Sequence, residues 1–66
     1  MIVYYPLWNY LYRIGRNRTY LLECISSATL AKLGSNKNVS VDTICKICEF
    51  LDCQVEDIMI YITSDI

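Results

Sequence analysis

Residues 26–38, SSATLAKLGSNKN, are the stretch whose reading decides the fold. They spell a short helix over about 26–33, a glycine stop and a small polar loop. Ser26 or Ser27 can cap the helix start, because a hydroxyl satisfies one of the free backbone amides there. Leu30 and Leu33 are expected inward, and Ser27, Thr29 and Lys32 outward. Gly34 is expected to supply the left-handed residue that ends such helices.

Downstream, Ser40 is placed to cap another helix, with Asp42 complementing its dipole. Val41, Ile44, Cys45, Cys48 and Leu51 recur at helical spacing and make its expected inner stripe, leaving Lys46, Glu49 and Asp52 in water. Upstream, Thr19 is expected to cap a very short helix to about Cys24, with Leu21, Leu22 and Ile25 inward. Earlier still, Pro6 suits the first turn of a helix whose stripe is Leu7, Leu11 and Ile14, closed by Gly15. Met1–Tyr5 is β-branched and aromatic and reads as extended. In Ile58–Thr63 helix and strand compete, with helix favoured near Val55–Met59 and an extended tail from Ile60. A lone strand is unstable in water, so the two ends should meet, within one chain or across a dimer.

The chain has 66 residues, of which 55% are hydrophobic, enough for one core. No apolar run reaches the roughly 18 residues of a membrane span. Met1–Trp8 has neither a basic lead nor a small-residue cleavage site, so it does not read as a signal peptide, and a cytoplasmic protein is expected. Two sequons, at Asn17 and Asn38, carry no meaning without secretion. The net charge of −1 hides a split. Residues 1–38 hold Arg13, Arg16, Arg18, Lys32 and Lys37 against Glu23. Residues 39–66 hold Lys46 against Asp42, Glu49, Asp52, Glu56, Asp57 and Asp65. Such a division orients approach to a polyanion, or lets unlike halves attract within a dimer. A helix tipped with small polar residues also suits a DNA major groove, since bulky side chains would hold its backbone off the base edges.

Several short helices on tight links describe a compact all-α domain of four to five helices, with short paired strands possible at the termini. From Thr29 to Ile58, TLAKLGSNKNVSVDTICKICEFLDCQVEDI resembles the Cro/lambda-repressor type of helix-turn-helix regulator. Thr43, Ile44, Lys46, Ile47 and Leu51 stand where that family places a serine-capped helix of "TL.KI...L" pattern, and Glu56 and Asp57 open a last small helix. The likeness runs from about Leu7 to Ile62. The region before Ile25 departs from the pattern: it is shorter than usual and lacks the glycine of the turn. Either its helix is truncated or it starts back toward Arg16.

The resemblance implies a small transcriptional regulator, a repressor by type, that binds double-stranded DNA as a homodimer with the 26–33 helix in the groove. Ser26, Ser27, Ala28 and Thr29 would then lie at the groove-facing end, with Lys32 one turn on. Arg18 and Thr19 would sit against the DNA backbone, and Asn36, Lys37 and Asn38 would clamp phosphates. The competing reading is a protein-interaction module that keeps the fold without binding DNA; the short region before Ile25 and the pI of about 5.0 favour it.

Four cysteines and no histidine do not make a zinc site here. The Cys45-x-x-Cys48 pair falls in a helical stripe expected to face the core, and structural zinc needs four ligands in a tetrahedron. Six of the eight aromatics, Tyr4, Tyr5, Trp8, Tyr10, Tyr12 and Tyr20, crowd the first twenty residues. They could stack single-stranded bases, though filling the core and a dimer contact is the favoured reading. Nothing resembles a catalytic site, so no enzyme, cofactor or small-molecule substrate is expected.

Overall fold

The computed structural model describes residues 1–63. Asp65, counted above in the acidic half, lies outside them. The order is β1 (Ile2–Val3), α1 (Tyr5–Arg13), a 3₁₀ segment (Arg18–Glu23), α2 (Ser27–Gly34), α3 (Val41–Leu51), a 3₁₀ turn (Val55–Asp57) and β2 (Ile60–Tyr61). The domain is mostly helical, as expected, with one two-stranded antiparallel pair. Among the described residues no helix is long and apolar enough to cross a membrane.

The ends meet within the chain. Ile2 pairs with Tyr61 and Val3 with Ile60. The pair is extended by the Met1 amine donating to the Ile62 carbonyl at 2.8 Å and the Ile62 amide donating to Met1 at 2.7 Å. Two residues per strand cannot hold by themselves. They are held because Tyr4, next along, is buried in the core.

That core comprises Tyr4, Leu7, Leu11, Leu21, Leu33, Ile44, Ile47, Leu51 and Ile58. All three α-helices and the 3₁₀ segment contribute, Tyr4 and Ile58 come from just outside the elements, and Val3 of β1 is buried as well. Tyr10 adds a cross-tie, its hydroxyl donating at 3.0 Å to the Leu51 carbonyl, a group left without a helical partner at the end of α3.

Each α-helix closes on a left-handed residue, and only one of the three is glycine. Gly15 (φ 75°) ends α1, with the Arg16 amide reaching back to Leu11 at 2.8 Å. Asn36 (φ 55°) ends α2, with Lys37 donating to Lys32 at 2.8 Å, and Asp52 (φ 53°) ends α3, with Cys53 donating to Cys48 at 3.0 Å. In each case the amide of the residue after the left-handed one takes up an orphan carbonyl of the last turn. Gly34 therefore does not play the part expected of it: it is the last residue of α2 and has no positive φ.

Other expectations need correction. The segment from Arg18 is a 3₁₀ helix, and Thr19 lies inside it, bonded to Asn17, rather than capping it. With i→i+3 closure and a rise of about 2.0 Å per residue, the tighter helix spans the gap that the short sequence leaves. Only Leu21 is buried there; Ile25 is half-buried and Leu22 is exposed. Ile14 is also exposed, because it follows the last helical residue of α1. On α3, Val41 and Cys45 lie in water, and the inner face is Ile44, Ile47 and Leu51. Phe50 on its flank packs on Tyr20, with ring centroids 4.8 Å apart. Ser40, Ile44, Leu51 and the exposed Lys46, Glu49 and Asp52 stand as expected.

Tyr4 ties the start of the chain to the loop after α2 by two bonds. Its hydroxyl donates to the Lys37 carbonyl at 2.9 Å, and its amide donates to Asn36 Oδ1 at 3.2 Å. Burial pushes the Tyr4 phenol above its ordinary value, so it stays a donor at any physiological pH. Tyr4→Phe keeps the ring and leaves the Lys37 carbonyl without this partner. The expected cost is about 1 kcal/mol, read as a fall of roughly 4–8 °C in the thermal midpoint; an unchanged midpoint would contradict this assignment.

Candidate nucleic-acid interface

The candidate surface is built on α2 and the loop behind it. Ser26 is the N-cap; its Oγ accepts from the Thr29 amide at 3.2 Å and lies 3.0 Å from Thr29 Oγ1. Both hydroxyls are thus engaged in starting the helix, and Thr29 is half-buried rather than outward. Leu33 and Leu30 hold α2 to the core, Leu33 fully and Leu30 in part. The face turned to solvent carries Ser27, Ala28, Ala31 and Lys32. Ala31 was not singled out from the sequence; it shares this face by helical spacing.

The left-handed turn at Asn36 carries the exposed face straight into Lys37 and Asn38, both exposed. Asn36 Oδ1 is already taken by the Tyr4 amide, so its side chain fixes the loop more than it projects from it. The Lys37 side chain remains free to swing over this anchored backbone, because the bond to Tyr4 uses only its carbonyl.

The upstream pair divides. Arg18 lies with its guanidinium carbon 4.1 Å from the centroid of the Trp8 ring. It also reaches the end of α2, where a Cβ on Gly34 would come within 3.3 Å of its Nη1. Thr19 stays on the 3₁₀ segment, lining a shallow polar depression with Gly15, Arg16, Asn17, Tyr20 and Glu23. Arg16 stacks on Tyr20 at 4.6 Å and Arg13 on Tyr10 at 5.5 Å. The aromatic-rich start of the chain thus fills the core through Tyr4 and seats arginines with Trp8, Tyr10 and Tyr20.

One cation near the surface was hidden by its position in the acidic half. Lys46 of α3 lines a depression with Ser26, Thr29 and Thr43, beside the start of α2. Counting charge along the sequence assigned it to the wrong side; only the packing of α3 against the loop before α2 brings it round.

Of the cysteines, Cys24 borders this surface, lining the same depression as Lys46. Cys45 is exposed, contrary to the expectation that the Cys45-x-x-Cys48 pair faces the core; Cys24, Cys48 and Cys53 are half-buried, and all four are free thiols. No group of three or more metal-ligating side chains occurs among the described residues. Burial raises Cys24 and Cys48, and it raises Cys53 to about 11, with the neighbouring Cys48 and Asp57 adding to the shift.

Residues 24–64 match the Cro/C1-type HTH DNA-binding domain. The chain belongs to that family. It is also similar to a solved structure, the crystal structure of transcriptional regulator VanUg, Form II. The two are 38% identical with a TM-score of 0.83, over 88% of this chain and 80% of that one. No curated protein matches. The family match opens at Cys24, just past the 3₁₀ segment, so α2 and α3 lie inside it while α1 and the 3₁₀ segment precede it.

The thiol assignments set an order of chemical labelling. The thiolate is the attacking form, so a raised pKa slows alkylation at a given pH. With iodoacetamide at pH 8, Cys45 is expected to react first by exposure and Cys53 last. Labelling of Cys53 should accelerate as the pH climbs toward 11. Peptide mass spectrometry measures the order, and equal rates at all four sites would contradict it.

Proposed function

We propose that this Cro/C1-type domain is a sequence-specific transcriptional regulator, a small repressor, that lays α2 in the major groove of duplex DNA. One observation supports this most: the exposed small-residue face of α2, Ser27, Ala28, Ala31 and Lys32, runs through a single anchored turn into Lys37 and Asn38. Small side chains let the helix approach base edges, and Lys37 of the loop meets a flanking phosphate. Ser27 and Ala28 read bases. Ser26 and Thr29 shape the helix start that presents them, and a change at Thr29 alters the preferred site through that start. Lys32 reaches a base edge or a phosphate; Lys37 and Asn38 hold phosphates, with Asn36 fixing their loop and Thr19 lying toward the DNA backbone.

A homodimer on a two-fold site goes with this reading, its half-sites about 34 Å apart. Tyr5 and Tyr12, exposed beside a groove with Arg13, Glu56 and Asp57, offer apolar surface for such an association. The same groove favours the second reading, a protein-interaction module without DNA binding. The protein is expected to act in the cytoplasm and without a cofactor.

Selection of bound duplexes from a random pool tests the proposal. A consensus should emerge. On it, Lys37→Ala should weaken all sequences alike and lower the slope of log affinity against log salt by about one, whereas Ser27→Asn should change the preferred sequence. No duplex retained at low salt, beside a stable complex with another protein, would favour the second reading.

A further inference from the structure

The Arg18 side chain lies on α1 and beside the last residue of α2. Its guanidinium rests on Trp8 of α1, the shortest of the three arginine–aromatic distances. Trp8 is half-buried and packed against the core, so the ring is a fixed platform. On the other side, Nη1 stands 3.3 Å from where a Cβ on Gly34 would be. A side chain at position 34 would make the guanidinium give by a few tenths of an ångström. Gly34 has no positive φ, so its backbone does not require glycine, and the Arg18 guanidinium is the group a side chain there would meet. The last turn of a helix, with its outward carbonyls, also favours a cation.

We propose that Arg18 is a positioning residue for DNA recognition: wedged between Trp8 and Gly34, it sets the inclination of α2 to the rest of the domain. It acts through α2 and not as a phosphate ligand. The proposal rests on the reading of α2 as the groove helix. A planar guanidinium can stack on the indole while its edge meets α2, and a lysine ammonium can do neither in the same way. The wedge also does a job in this chain that a longer α-helical second element would otherwise do, because the 3₁₀ segment carrying Arg18 buries only one residue, Leu21.

The test uses the full chain with a duplex recovered by selection and a scrambled duplex of equal length. Arg18→Met and Arg18→Lys should both lower the preference for the selected duplex by about tenfold, the scale of one mis-set base contact. The salt slope should stay unchanged in both. Gly34→Ala, with Arg18 intact, should give a partial loss of the same kind and shift the emission of Trp8, the only tryptophan. Alanine is the better helix former, so a weakened helix would not explain that loss. A phosphate contact gives the opposite pattern, and would overturn the proposal: Arg18→Met lowers the slope by about one and weakens both duplexes equally, while Arg18→Lys restores binding. In the free protein, unchanged Trp8 emission and unchanged amide shifts over residues 27–34 in Arg18→Met would overturn it as well, whatever binds. Failure of the unaltered protein to bind any duplex would instead remove the groove reading beneath it.

Discussion

The bonds of Tyr4 to the loop after α2 are the constraint on which the rest of the structure depends. A chain of this size has too little interior to hold every element by burial alone. One tyrosine joins the terminal strand pair to the far end of the candidate reading helix, through its hydroxyl on Lys37 and its amide on Asn36. The same two residues close α2 by the left-handed turn. The loop that would meet phosphate is therefore not a free loop. Its backbone is fixed from inside, and only the Lys37 and Asn38 side chains are left to adapt. That arrangement lowers the ordering cost of binding, because less freedom remains to be lost.

Arginines seated on aromatic rings carry the second part of the design. Arg13, Arg16 and Arg18 lie on Tyr10, Tyr20 and Trp8, and Tyr20 in turn packs on Phe50 of α3. Cations at the join of α1 and the 3₁₀ segment are thus held against rings that also pack against the core. Stacking leaves the edges of a guanidinium free, so a seated arginine can still take polar partners.

Much of this could be read from the residues. Ser26 and Ser40 cap their helices because a cap is a bond between neighbours, and the sequence shows neighbours. The pairing of the two ends followed from the instability of a lone strand. The motif that resembled the Cro/lambda-repressor family lies largely within the span that matches it. What could not be read depends on distant partners. Asn36 rather than Gly34 takes the left-handed position, and its side chain is bonded to Tyr4, thirty-two residues away. The inner face of α3 is turned so that Val41 and Cys45 are exposed, with Ile44, Ile47 and Leu51 in the core and Phe50 on Tyr20. The 3₁₀ closure of residues 18–23 is a matter of one hydrogen-bond step, and pattern counting cannot tell i→i+3 from i→i+4 over six residues. Of the candidate site, the exposed residues of α2 and its loop were foreseen; Ala31 and Lys46 were missed, and the roles of Thr29, Asn36 and Arg18 shifted inward once their partners were visible.

The central claim is that the exposed face of α2 lies in the major groove. Methylation interference on a selected duplex tests it most directly, because dimethyl sulfate marks guanine N7 in the major groove and adenine N3 in the minor groove. The account expects N7 methylation to block binding in two clusters about 34 Å apart along the helix axis. Interference confined to adenine N3, or none at all on a duplex the protein binds, would contradict it.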